Sequence, residues 1–147
     1  MGIADVIKGK SIYIDTNIFI YALEGYPEFA ASLTSLFTAI DEGGVTAVTS
    51  ELTLAESLVK PLMDDNTVLE NLYLEVFQTS MSLNVVPISR QILIESARLR
   101  AKSKTLKLSD AIHFATARMS DCQTFLTNDK QLKFVPDFDV AILAEEM

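Results

Sequence analysis

Short, apolar, β-prone runs alternate along the chain with longer segments of helical period. Ser11-Ile12-Tyr13-Ile14 has the character of a buried central strand. Asp15-Thr16-Asn17 interrupts it, and an apolar run from Ile18 to Leu23 follows at once, which predicts a short helix over 17–24. Gly25-Tyr26-Pro27 breaks that helix. Pro27 opens a longer one over 28–41, with Phe29, Leu33, Leu36, Phe37 and Ile40 as its apolar positions and Gly43-Gly44 as its stop. Residues 45–48 form a second strand rich in β-branched side chains. Thr49-Ser50 caps a helix over 51–62 that tolerates Pro61 near its end. Asp64-Asp65-Asn66 starts another, running to about 80. Residues 84–88 are a third strand, which Pro87 assigns to an edge or to the end of its ladder. Ser89 caps a helix to about 104, with Ile92, Leu93, Ala97, Leu99 and Ala101 available for its buried side. A helix over 108–120, a fourth strand over 124–127 and a fifth over 139–143 complete the pattern.

Strands that alternate with helices predict a mainly parallel sheet covered on both faces, a three-layer α/β/α sandwich with right-handed crossovers. At 147 residues, without repeats or a Pro/Gly/Ser linker, the chain reads as one domain over 1–147. No apolar run reaches the roughly 18 residues of a membrane span, and residues 1–10 mix acid and base without a signal-peptide core. The expectation is a cytoplasmic protein. The single cysteine, Cys122, cannot make an internal disulfide, and no Cys/His cluster suggests zinc. It reads as a small packed hydrophobe, and the lone His113 reads as structural or solvated rather than catalytic. A mean hydropathy of +0.26 leaves room for apolar surface facing a partner. Phe19, Ile20, Tyr21, Leu23, Phe29 and Leu33 are the candidates, with core packing as their ordinary role.

Charge divides the picture. The net −8 discourages polyanions overall. Yet Arg98, Arg100, Lys102, Lys104 and Lys107 put five of the 12 basic residues within ten positions, with no acid among them. That strip either invites a polyanion locally or is a solvated helix end whose cations suit the C-terminal dipole.

A few acids are awkwardly placed for plain solvation. Asp15 ends the first strand, where α/β proteins bind ligands, although it could simply cap the next helix. Asp129 lies just past the fourth strand and meets Asp15 if the two strands are neighbours. Glu56 shares a helical stripe with Leu52, Val59 and Met63, at the margin of the expected buried face, where a carboxylate needs a partner or a metal. Glu51, in the first turn, is explained by the dipole. Asp110 lies off the polar stripe of Ser109, His113, Thr116 and Ser120, in line with Phe114 and Ala117. It reads alternatively as a first-turn acid with Ser109 as the cap. Convergence of these acids at one end of a sheet would require protonation or a cation. Oxygen-only donors suit Mg²⁺ or Mn²⁺, and carboxylate-held ions of that kind serve water activation and phosphodiester cleavage.

Tyr13-Ile14-Asp15-Thr16-Asn17, Leu54-Ala55-Glu56, Leu108-Ser109-Asp110-Ala111-Ile112-His113 and Leu126-Thr127-Asn128-Asp129 together resemble the PIN-domain signature, in order and over essentially the whole chain. The likeness is to small single-domain prokaryotic PIN proteins, including the VapC-type toxins of toxin–antitoxin pairs. It implies a metal-dependent endoribonuclease in which Asp15, Glu56, Asp110 and Asp129 bind Mg²⁺ or Mn²⁺ and carry the catalysis, with Asn17 and Thr127 as supporting polar groups. It also implies a homodimer and an antitoxin partner that enters the active-site groove. Asn128 is either a spacer or a further ligand. In this frame the basic strip lies on the rim of the acids, and Arg98, Arg100, Lys102 and Lys104 would guide RNA. Two other readings remain. One is an aspartyl-phosphate phosphatase with Asp15 as nucleophile, against which Asn17 counts because such enzymes carry an acid there. The other is a catalytically silent binding module.

Overall fold

In the computed structural model, residues 2–7 and 9–147 are described. A short helix, α1 (Ile3–Ile7), precedes strand β1 (Ser11–Ile14). Helix α2 (Thr16–Leu23) follows, then a 3₁₀ turn (Pro27–Phe29) that leads into α3 (Ala30–Asp41). Strand β2 (Thr46–Ser50) is followed by the helix pair α4 (Glu51–Met63) and α5 (Thr67–Val76). Strand β3 (Leu83–Val86), helices α6 (Arg90–Lys102) and α7 (Leu108–Met119), and strands β4 (Thr124–Thr127) and β5 (Val140–Ile142) complete the order. Helix α1 had no signal in the hydrophobic pattern, and α5 stops earlier than the pattern predicted. The other elements lie within a few residues of expectation.

The strands form one sheet in the order β3-β2-β1-β4-β5, and every pairing is parallel. Strand β1 is central. On one side the chain runs outward through β2 to β3. It then returns to the other side of β1 for β4 and β5, so the order reverses at the β1/β4 pair. In open α/β sheets the carboxyl ends of such a pair bound a crevice that side chains can line. Pro87 comes directly after edge strand β3, where its missing N–H costs no ladder bond.

The pleat sends alternate residues of β1 to opposite layers. Ile12 and Ile14 pack with Ile7, Ile18, Phe19, Leu36 and Tyr73 on one face. Tyr13 packs with Val48, Ile92, Ala111, Phe114 and Phe125 on the other, beneath α6 and α7. The three-layer α/β/α sandwich expected from the sequence is the observed architecture. Cys122 packs at the margin of the second core, and burial, with the nearby charge of Asp121, pushes its thiol up to about 12. No helix among the described residues is long and apolar enough to cross a membrane.

Two helix faces differ from expectation. On α4 the buried positions are Thr53, Ser57 and Pro61, whereas Val59 and Met63, from the stripe that carries Glu56, are 56% and 78% exposed. On α7 the supposed outward polar stripe lies inside: His113 and Thr116 are buried along with Phe114 and Ala117. Ser109 does not cap α7 either, since the cap position is Lys107, which makes no side-chain cap bond.

Candidate active site

The β1/β4 ladder extends one residue past β1, because the Asp15 N–H donates to the Leu126 carbonyl at 2.9 Å. This fixes the Asp15 side chain at the crevice. Its Oδ1 accepts the Thr16 N–H at 2.8 Å, which makes it the cap of α2, and its Oδ2 accepts the Thr127 hydroxyl at 2.8 Å. The residue is 7% exposed. These two bonds, with the positive end of the α2 dipole, offset the cost of burying a carboxylate. The helix-cap role and the crevice role belong to the same side chain.

Thr127 joins the two strand ends. Its Oγ1 also accepts from Asn17 Nδ2 at 3.1 Å and from the Asp129 N–H at 3.1 Å. The Asn17 Oδ1 accepts the Asn128 N–H at 3.1 Å. Asn17 and Thr127, named from the sequence as supporting groups, thus lace α2 to the end of β4. The Asn128 Oδ1 accepts the Ala144 N–H at 2.9 Å, so that oxygen ties down the segment after β5. The Asp129 Oδ1 accepts the Gln131 N–H at 3.0 Å and caps the 3₁₀ turn Lys130–Leu132.

Glu56 reaches the same crevice from α4. Its side chain is 36% exposed, and its Oε1 accepts both the Thr16 hydroxyl at 2.8 Å and His113 Nε2 at 2.6 Å. Burial raises its carboxyl, but the hydrogen bond and charge of His113 and the Thr16 bond outweigh that and hold it below the usual range. The buried His113 ring stands between Glu56 and the sheet. Its Nδ1 lies 2.5 Å from the Tyr13 hydroxyl and its Nε2 lies 3.7 Å from Asp15 Oδ1. Burial lowers its pKa, yet the bond to Glu56 and the charges of Asp15, Glu56 and Asp110 raise it above the ordinary histidine value. The sequence pattern alone makes His113 structural or solvated, whereas the structure places it between Glu56 and Asp15. Two signals pointed to it: it follows Asp110 by three positions, hence on the same side of α7, and Tyr13 and Asp15 share one face of β1.

Asp110 sits in the first turn of α7. Burial and then the negative charge of Asp15 raise its carboxyl, with a smaller push from Asp129, against the opposing pull of His113 and Lys107. The acids singled out from the sequence therefore share one electrostatic environment. Asp15 and Glu56 are joined through Thr16 and His113, and Asp110 feels both Asp15 and Asp129. Among the described residues, however, no three His, Cys, Asp or Glu side chains are gathered closely enough to enclose an ion. The arrangement is a charged crevice with oxygen donors on several elements.

The basic strip falls on the last turns of α6 and the short connection to α7, with Arg98, Arg100, Lys102, Lys104 and Lys107 all exposed. Lys107 is the member whose charge reaches Asp110. Arg98 lies 3.6 Å from Glu95 on its own helix. A separate apolar groove of about 480 Å³ runs between α2 and α3, lined by Phe19, Tyr21, Leu23, Tyr26, Leu33 and Phe37 among others, and by none of the crevice acids. Phe29 and Leu33 are largely packed in the core, while Tyr21 and Leu23 remain partly open.

Residues 12–137 match the family model described as PIN domain. No curated protein matches the chain significantly. Among solved structures, a toxin–antitoxin complex from Klebsiella pneumoniae is 26% identical, covering 90% of this chain and 97% of that chain with a TM-score of 0.66. VapBC2 from Rickettsia felis, bound to a DNA fragment from its promoter, is 18% identical over 90% and 98% of the two chains, with a TM-score of 0.71. Mycobacterium tuberculosis VapC20, described as a sarcin-ricin loop cleaving toxin, is 14% identical over 78% and 86%, with a TM-score of 0.65.

Proposed function

The chain belongs to the PIN-domain family, and from that membership we propose that it is a Mg²⁺- or Mn²⁺-dependent endoribonuclease, the toxin of a toxin–antitoxin pair. The observation that carries this reading is the joining of Asp15, Glu56 and the start of the Asp129 turn at the β1/β4 crevice through Thr16, His113 and Thr127, with Asp110 under the charges of Asp15 and Asp129. Like charges brought together in this way suit a cation, and an all-oxygen donor set suits a hard one. By the family membership Asp15, Glu56, Asp110 and Asp129 are the residues that would hold it, as donors from separate elements rather than as a preformed cluster among the described residues. A divalent ion supplies Lewis-acid polarisation of the phosphodiester and offsets the repulsion between that anionic group and the protein's own acids.

The chain's own residues do the positioning. Thr127 and Asn17 hold Asp15 and the start of the Asp129 turn in a fixed relation. Thr16 holds Glu56. Arg98, Arg100, Lys102 and Lys104 present positive charge next to the acids in sequence and would take the RNA backbone. The description of one similar structure as a sarcin-ricin loop cleaving toxin, and of another as a toxin–antitoxin complex, is consistent with RNA as substrate and an antitoxin as partner. The apolar α2/α3 groove offers such a partner buried surface. A homodimer belongs to the same reading. Phosphoryl transfer through Asp15 fits less well, because Asn17 occupies the position of the second acid and spends both side-chain polar atoms on Thr127 and Asn128.

The test is RNA cleavage by the purified protein with added Mg²⁺ or Mn²⁺. Cleavage should appear with either ion, vanish in chelator and be absent in Asp15→Asn. Cleavage that survives chelation, or that survives the substitution, ends this reading.

A further inference from the structure

His113 spends a buried ring on holding a carboxylate that is itself partly open to solvent. Its side chain is 2% exposed, whereas that of Glu56 is 36% exposed. The ring is anchored at its other nitrogen by Tyr13 OH, 2.5 Å from Nδ1. Tyr13 is fully buried at the centre of the sheet and stacks on Phe125 with ring centroids 5.1 Å apart. A continuous line of short contacts thus runs from the rigid middle of β1, through α7, to the tip of a side chain on α4. In either protonation state of the ring, Nε2 is the donor to Glu56, because an ionised carboxylate only accepts. The 2.6 Å separation is that of a charge-assisted bond.

The line also selects an oxygen. Thr16 and His113 both bond Oε1 of Glu56, and no described residue bonds Oε2. Two donors from two other elements hold Oε1 and leave Oε2 without a donor among the described residues. A core histidine needing only satisfaction would find it in the Tyr13 hydroxyl and a buried acceptor. It would not need to fix the outermost acid of the crevice.

We infer that His113 is a positioning residue, which together with Tyr13 orients Glu56 so that its Oε2 is directed to a divalent cation in the β1/β4 crevice. The inference rests on the proposed metal-dependent function. Partners of this kind behind a ligand are typically worth about 10- to 100-fold in metal affinity.

The experiment is Mn²⁺ binding to the full chain without RNA, followed by isothermal calorimetry or by the Mn²⁺ electron paramagnetic resonance signal. Wild type, Tyr13→Phe, His113→Gln, His113→Leu, Glu56→Gln and the Tyr13→Phe/Glu56→Gln double variant are compared. Tyr13→Phe keeps the stacked ring and removes only the hydroxyl, so it preserves the fold where His113→Leu endangers it. Tyr13→Phe and His113→Leu should each weaken Mn²⁺ binding by about 10-fold or more. His113→Gln, which keeps an N–H donor, should retain part of the affinity. In the Glu56→Gln background, Tyr13→Phe should have no further effect, because the residue it acts through is gone. Wild-type binding with Tyr13→Phe and His113→Gln both unchanged overturns the inference alone. Equal Tyr13→Phe losses with and without Glu56 overturn it too, since they mark a structural role. A wild type that binds no Mn²⁺ overturns the metal-dependent function and this inference with it.

Discussion

The Thr127 hydroxyl donates to Asp15 Oδ2 at 2.8 Å, joining residues 112 positions apart across the two central strand ends. The same oxygen accepts from Asn17 and from the Asp129 N–H. One β-branched side chain therefore sets the spacing of two of the four crevice acids. Thr127→Val keeps the shape and removes these bonds, leaving a buried carboxylate oxygen without its donor. The expected cost is about 1–3 kcal/mol of unfolding free energy, read by urea titration in chelator. Thr127→Ser should recover most of it. If Thr127→Val unfolds at the wild-type midpoint, Asp15 is not held by this hydroxyl.

The strand ends that make this contact are legible in the sequence, whereas the β1/β4 adjacency is only a condition there and is supplied by the fold. The strands of residues 11–14 and 124–127 are short, β-prone and bounded by Asp15 and Asn128-Asp129, and the observed strands end where that pattern ends. The pattern singles out Glu56 for a partly mistaken reason. Periodicity groups Leu52, Glu56, Val59 and Met63, but it does not say which side of α4 faces the core, and that side is Thr53, Ser57 and Pro61. A buried face made of hydroxyls looks like an outer one. The same ambiguity hid His113, because on α7 polar side chains go inside once local bonds satisfy them, as Thr116 does by donating to the Ile112 carbonyl at 2.7 Å.

Asp110→Asn should stabilise the metal-free protein. Burial, followed by the charges of Asp15 and Asp129, raises the Asp110 carboxyl. The folded state therefore holds the proton more tightly than the unfolded state does. Above the raised folded pKa the ionised carboxylate costs stability, and that cost fades as the pH falls through it. At pH 7 the substitution should gain on the order of 1 kcal/mol, discounted for partial exposure. The gain should shrink toward zero below about pH 4, near the ordinary carboxyl range. Urea midpoints in chelator at the two pH values test this, and equal gains at both would show that charge repulsion is not the cause.

Added Mn²⁺ should reverse that order. An ion that binds the folded state alone stabilises by about 2.7 kcal/mol at a hundred times its dissociation constant. Wild type should gain Tm as Mn²⁺ is raised, and Asp110→Asn should gain much less. If the Tm of both rises in parallel, the ion binds elsewhere on this acidic surface.

The basic strip makes a prediction that separates it from a plain helix end. Arg98, Arg100, Lys102 and Lys104 are exposed, and the one ion pair among them, Arg98 with Glu95, has its arginine 70% exposed. Such pairs contribute little to stability, so replacing all four with Gln should leave the urea midpoint nearly unchanged. RNA binding should respond differently. Every phosphate that is no longer neutralised takes about 0.7 off the slope of log affinity against log salt for a single strand. The slope of the fourfold variant should therefore be distinctly shallower than that of the wild type, measured with an RNA that Asp15→Asn binds without cutting. Lys107→Gln is the informative contrast. Its charge reaches Asp110, so it should change the crevice as well as the grip on the RNA backbone, weakening Mn²⁺-independent RNA binding while strengthening Mn²⁺ affinity. An unchanged salt slope in the fourfold variant would assign the strip to a protein partner or to solubility, and the RNA path would then have to cross the crevice without it.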